Sequence, residues 1–192
     1  MRIENPERMA ELGARIAAEL RVGDLVLLNG ELGAGKTTLT RGIGAALGVR
    51  GAVTSPTFVL ARTHPREGEA PLVHVDAYRL TSAMELDDLD IDYSSSIVIV
   101  EWAADLMEGI ADEWLSVDIV RPHGGQKVDN GAADESVDEN SYGKVDENAD
   151  KNADENADEN ADENADENAH VDSREVTITA HGARWANSPL LN

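Results

Sequence analysis

The segment Gly30-Glu31-Leu32-Gly33-Ala34-Gly35-Lys36-Thr37 satisfies the pattern G-x-x-x-x-G-K-[ST] and constrains the fold more than any other feature of this chain. At the chain's own frequencies of Gly, Lys and Ser/Thr, a chance match is expected on the order of once in 400 such chains. The flanks agree with it. Leu25-Val26-Leu27-Leu28-Asn29 is a continuous apolar run, as in a strand buried on both faces of a parallel sheet. Behind the motif, Leu39, Ile43 and Leu47 recur at helical spacing, and Gly48 ends the helix. Strand, glycine loop and helix together form a phosphate cradle. Glycines let the backbone curl without Cβ clashes, and the helix N-terminus offers free N–H groups and its dipole. In such a cradle Lys36 places a cation on the β- and γ-phosphates, and the Thr37 hydroxyl ligates magnesium. The motif therefore implies a nucleotide site in an α/β domain.

The remaining elements fit that class. Asn5 is a good N-cap and Pro6 a good first helical residue, and Met9, Leu12, Ile16 and Leu20 follow at helical spacing. Strands are expected at 58–62, 72–75 and 97–100, the last being four β-branched residues, with a short helix at 82–89. Segments 115–120 and 175–180 alternate as half-buried antiparallel strands do. The expected fold is a three-layer P-loop NTPase-like domain with a mainly parallel sheet and a C-terminal antiparallel hairpin.

That hairpin is interrupted by an acidic tract. The chain carries 16 Lys+Arg against 38 Asp+Glu, a net charge of -22 over 192 residues. Residues 128–172 hold 17 of the acids and two bases, so they account for -15 and leave -7 to the rest. Within them the unit Asp-Glu-Asn-Ala repeats from Asp154 to Ala169, with almost nothing larger than alanine to bury. Such a segment cannot offset its conformational entropy and is expected to be disordered. Asp154-x-Asn156-x-Asp158 opens like an EF-hand loop, but Glu159 stands where Gly is required and Ala165 where Glu is. No dedicated calcium site is expected. Loop-closure entropy rises only logarithmically, so a 45-residue loop in place of a five-residue one costs roughly 1.9 kcal/mol more. The expected organisation is a P-loop ATPase domain at 1–127, the acidic insert at 128–172, and a strand and tail at 173–192 that complete the domain.

Composition narrows the setting. There is no cysteine, which excludes disulfides, thiolate zinc sites and cysteine nucleophiles. The N-terminus lacks the apolar stretch of a signal peptide, and no apolar run approaches a membrane span. A cytoplasmic protein is expected, one that does not grip nucleic acid strongly itself.

Two further acids belong on the magnesium side. Glu101 ends the run Ile97-Val98-Ile99-Val100, and Asp76 ends Leu72-Val73-His74-Val75. Both close apolar strands on the side where such sheets bind nucleotides. No guanine-reading Asn/Thr-Lys-x-Asp motif is present, which favours adenine.

Four blocks now stand in order: the glycine loop through Thr38, Thr54-Ser55-Pro56-Thr57-Phe58, His74-Val75-Asp76-Ala77-Tyr78-Arg79-Leu80, and Val100-Glu101-Trp102. In order and spacing they resemble the TsaE (YjeE) family over residues 1–122 and again from about 173. The resemblance implies a small ATPase that binds ATP and magnesium and hydrolyses ATP slowly alone. It implies association with a TsaB–TsaD pair in forming threonylcarbamoyladenosine next to the tRNA anticodon. By position it implies that Gly33, Ala34, Gly35, Lys36, Thr37 and Thr38 hold phosphates and that Thr37 and Glu101 organise magnesium. Ser55 and Thr57 fall in a switch-like loop, Asp76 positions water, Trp102 lies near the nucleotide, and Arg174 reaches it from the last strand. Lys36, Asp76 and Glu101 form the catalytic set, and Arg79, Arg174 or a partner residue supplies any arginine finger. This chain departs from the pattern with Met9 where many members have Thr, and with Asp90 where Gly is common. Two other readings stand beside this one: a small-metabolite kinase, which needs an added acceptor, and a nucleotide-dependent binding module with incidental hydrolysis.

Overall fold

The computed structural model describes residues 1–103, 111–122 and 173–191. The order of elements is β1 (Arg2–Ile3), α1 (Pro6–Glu19), β2 (Leu25–Asn29), α2 (Lys36–Leu47), β3 (Ala61–His64), β4 (Leu72–Asp76), α3 (Ala83–Asp87), β5 (Ile97–Glu101), β6 (Trp114–Val120) and β7 (Arg174–His181). Three short 3-10 turns cover Tyr93–Ser95, Ala183–Trp185 and Pro189–Leu191. The described elements belong to one unit built from Met1–Pro122 and His170–Asn192, so the chain on either side of 123–169 folds together. The acidic insert expected at 128–172 lies outside the described residues.

The strands form one seven-stranded sheet in the order β1-β7-β6-β2-β5-β4-β3. Its inner strands β6, β2, β5 and β4 run parallel, while β7, β1 and β3 join antiparallel. The sheet is therefore mixed, and the expectation of a mainly parallel one holds only for its centre. The reason lies at the edges. Parallel strands need a crossover element, and the β3–β4 link closes without one. The β6–β7 hairpin runs from Trp114↔His181 to Val120↔Glu175, as the alternation predicts.

Burial follows the period of two. In β2, Val26 and Leu28 face α1 and α2 in one apolar cluster, which also holds Met9, Leu12, Ile16, Leu39 and Ile43. Leu25 and Leu27 face the opposite way, with Val73, Val75, Val98, Val100 and the Leu86 side chain of α3. This double burial explains the unbroken apolar runs. Helix α1 starts as expected: the Asn5 side chain accepts from the Arg8 N–H at 2.9 Å, and Pro6 occupies the first turn.

Two local differences have physical causes. The strand expected at 58–62 begins only at Ala61, because Leu60 takes φ 64° and breaks the extended run, leaving Phe58 exposed. Asp90 also adopts a left-handed backbone, φ 51°, which accounts for the glycine common there in the resembling family. The tail after β7 packs into the core, with Trp185 fully buried and Leu190 nearly so.

One ion pair locks that tail. Arg184 donates from Nε to Asp24 Oδ1 at 3.1 Å and from Nη2 to Oδ2 at 2.8 Å. Its guanidinium also lies 4.2 Å from the Trp185 ring centre. Arg184→Ala strands a buried carboxylate, and we expect it to lower stability by about 2–4 kcal/mol. A urea-unfolding midpoint unchanged from wild type would show that the pair contributes nothing.

Candidate functional site

The site forms where β2, β4 and β5 end and α2 begins. Gly30, Gly33 and Gly35 take φ 140°, 77° and 111°, values that side chains rarely adopt. Gly30 is doubly constrained, since a Cβ there would stand 2.3 Å from the Ile119 carbonyl oxygen of β6. Gly35 caps α2 without any side-chain hydrogen bond. The first turn of this helix thus keeps its N–H groups and dipole for an anion.

Lys36, in that first turn, is only 5 % exposed. Its Nζ donates to the carbonyls of Gly30 at 2.7 Å and Glu31 at 3.0 Å, and it lies 3.6 Å from the Trp102 ring centre. Burial pushes the ammonium below its ordinary value, while the charges of Glu101, Asp76 and Glu31 oppose that shift. No carboxylate bonds to it directly among the described residues. A desolvated cation held by carbonyls and a ring face gains most from an incoming anion.

The Thr37 hydroxyl donates to Glu101 Oε1 at 3.2 Å, joining α2 to the end of β5. The same oxygen lies 2.9 Å from His74 Nε2. Parallel pairing sets Asp76 opposite Glu101. Asp76 accepts from the Thr57 hydroxyl through Oδ2 and from the Tyr78 N–H through Oδ1 at 3.0 Å. Thr57 in turn lies 2.7 Å from the Ser55 hydroxyl, and Arg79 donates to the Thr57 carbonyl. The loop carrying Ser55 and Thr57 is therefore tied to the β4 acid. Trp102 follows β5 with φ 64°, and its ring meets Tyr78 edge-on at 5.2 Å.

These groups line one cavity of 210 Å³, which includes Gly33, Gly35, Lys36, Thr37, Thr38, Ser55, Thr57, Asp76, Glu101 and Trp102. A smaller hollow of 90 Å³ lies on the other side of the loop, lined by Met9, Gly33, Ala34, Gly35, Thr38 and Arg174 among others. Arg174, at the start of β7, donates from Nε to the Ala34 carbonyl at 3.1 Å. Gly33, Gly35 and Thr38 face both spaces. Nothing in the sequence alone assigns a role to the buried His74, or to the Gly30 and Glu31 carbonyls that hold Lys36. A buried histidine inside an otherwise apolar strand was the available signal for the first, and the second has no sequence signal.

The site can hold a polyanion and a hard cation. Thr37 and Glu101 offer hydroxyl and carboxylate oxygens, the donors that magnesium prefers, and no thiolate competes. Among the described residues no cluster of three or more His, Asp or Glu forms a metal cage. Magnesium is usually held by one or two carboxylates together with phosphate oxygens. No helix among the described residues is long and apolar enough to cross a membrane.

Several known proteins are similar to this chain. A protein called tRNA threonylcarbamoyladenosine biosynthesis protein TsaE in Streptomyces coelicolor is 58% identical over 120 residues, covering 60% of this chain and 81% of that one. One of the same name in Bacillus subtilis is 37% identical, covering 62% and 76%. A crystal structure of Bacillus subtilis YdiB superposes with a TM-score of 0.53 at 33% identity, over 65% of this chain and 77% of its own. The family described as threonylcarbamoyl adenosine biosynthesis protein TsaE matches residues 3–128. Since that span contains the glycine loop, both strand-end acids and the switch-like loop, this chain belongs to the TsaE family.

Proposed function

We propose that this chain is a cytoplasmic magnesium-dependent ATPase serving the N6-threonylcarbamoyl modification of the adenosine beside the tRNA anticodon, together with a TsaB–TsaD-like pair. The domain is then a three-layer P-loop NTPase variant whose sheet has antiparallel edges. The observation that carries the reading is the buried Lys36 at the lip of a glycine loop, sharing one cavity with Thr37, Asp76, Glu101 and Trp102. The relatives' names supply the pathway.

The chemistry is in-line attack of water on the γ-phosphate. Lys36 gives up its carbonyl partners and holds the β- and γ-oxygens, and the α2 N–H groups stabilise charge on the equatorial oxygens. Asp76 positions the attacking water, and its tie to Thr57 makes that position depend on the state of the Ser55–Thr57 loop. Magnesium, held by Thr37 and Glu101, supplies further neutralisation of phosphate charge when bound. Arg174 anchors the back of the loop through the Ala34 carbonyl. Arg79, exposed and tied to the Thr57 carbonyl, is the cation best placed to respond to a partner at the cavity mouth.

The test is the ATP hydrolysis rate with and without a TsaB–TsaD pair. The expected result is slow turnover alone and a rise of at least about tenfold with the pair, in line with what a completed charge clamp contributes. Turnover that needs a small acceptor points to a kinase, and hydrolysis indifferent to the pair points to a binding module.

A further inference from the structure

His74 is fully buried in the centre of β4, between the apolar Val73 and Val75. Its Nε2 lies 2.9 Å from Glu101 Oε1, while its Nδ1 is buried without a hydrogen-bond partner. A carboxylate oxygen only accepts, so Nε2 carries the proton. The partnerless Nδ1 is then a bare acceptor, and an under-satisfied acceptor costs less than an orphaned donor. The Nε2 proton therefore points at Glu101. His64, whose ring centre stands 6.5 Å away, is held below its ordinary value by burial first and then by His74 and Arg62.

A leucine or valine at position 74 would continue the pattern of the strand without leaving a polar atom stranded. What the histidine adds is one directed bond, from two residues upstream of the Asp76↔Glu101 pair and on the same face. With Thr37 it gives Glu101 Oε1 two donors, while no described residue donates to Oε2. The carboxylate, which lines the cavity, is thereby pinned by one oxygen and left with the other uncommitted.

We propose that His74 is a positioning residue for the metal-side carboxylate: through its Nε2–H it orients Glu101 and so sets the magnesium affinity of the site without touching nucleotide. This rests on the nucleotide reading above. Partners of this kind, one bond removed from a metal, typically change metal affinity by about 10–100-fold when lost.

The experiment compares wild type, His74→Gln and His74→Asn in the full chain. A glutamine amide nitrogen reaches where Nε2 sits, whereas asparagine is one methylene too short. ATP binding is measured by calorimetry in EDTA and across a magnesium titration, with thermal melts to confirm folding. In EDTA all three proteins should bind ATP within about twofold of one another. The half-saturating magnesium concentration should rise about 10-fold or more for His74→Asn and return to within about threefold of wild type for His74→Gln. Equal magnesium dependence in all three, or equal displacement of both variants, overturns the inference alone. A wild-type chain that binds no ATP in either condition overturns the nucleotide reading and this inference with it. If the variants fail to fold, the ¹⁵N shifts of His74 in the wild type at pH 7 decide: Nε2–H supports the assignment, and Nδ1–H overturns it.

Discussion

Lys36→Ala is expected to lower the ATP hydrolysis rate by at least about a hundredfold, and toward a thousandfold, with the fold intact. The transition state for phosphoryl transfer is loose, so catalysis depends on charge already in place around the phosphate oxygens. Lys36 is the buried cation lining the cavity, and it is held by neutral groups that release it readily. Removing it takes a full charge from a water-poor site, where a charge counts for more than at the surface. The fold loses little. The amine leaves behind two carbonyls, of Gly30 and Glu31, and α2 gains an alanine in its first turn. Lys36→Met, which keeps an unbranched apolar side chain and deletes the charge, should fall as far in rate as Lys36→Ala. Steady-state hydrolysis and a melting curve on each variant separate the effects. A folded Lys36→Ala protein turning over at the wild-type rate places the chemistry elsewhere.

The same side chain shows why so much of the site was legible. Lys36 sits on a pattern whose residues are close in sequence and whose geometry is set locally, by three glycines at positive φ and one helix N-terminus. Asp76 and Glu101 were legible for a related reason. Each terminates an apolar run, and in a parallel sheet the ends of neighbouring strands converge. The bond from His74 to Glu101 was not legible, because it depends on β4–β5 register, which no local signal specifies. Backbone demands were hidden in a similar way. Phe58, Val59 and Leu60 have strand-forming side chains, yet Leu60 turns left-handed and Phe58 and Val59 face solvent. Strand propensity reports fit to a half-buried surface, and here that surface is absent. β1, at two residues, is too short to carry a period, and it exists because the antiparallel β7 offers it an edge. Arg184, Trp185 and Leu190 follow the last alternating segment in 3-10 turns, so no periodicity marks them as core.

Gly42→Ala is expected to destabilise the domain by about 2 kcal/mol, although alanine is the better helix former. The intrinsic gain is about 1 kcal/mol, and overpacking costs about 3 kcal/mol where the obstacle cannot move. Here it cannot. A Cβ on Gly42 would stand 2.4 Å from the Ala10 carbonyl oxygen and 2.7 Å from its Cα, both backbone atoms of α1. The contact is reciprocal, since a Cβ on Gly13 of α1 would lie 2.6 Å from the Leu39 carbonyl oxygen of α2. The two helices therefore cross at one glycine each. Spreading them reaches the site, because Met9 on α1 packs 3.4 Å from where a Gly35 Cβ would be, just ahead of Lys36. Gly44 provides the contrast on the same helix: its obstacle is the Val53 Cγ2 methyl at 2.7 Å, the end of a side chain. Gly44→Ala should recover stability when combined with Val53→Ala, whereas no side-chain trimming should rescue Gly42→Ala. For a domain of this size the loss at Gly42 corresponds to a melting temperature lower by about 6 °C. A Gly42→Ala protein that melts at or above wild type would mean that the helices separate without cost and that something other than these glycines sets their distance.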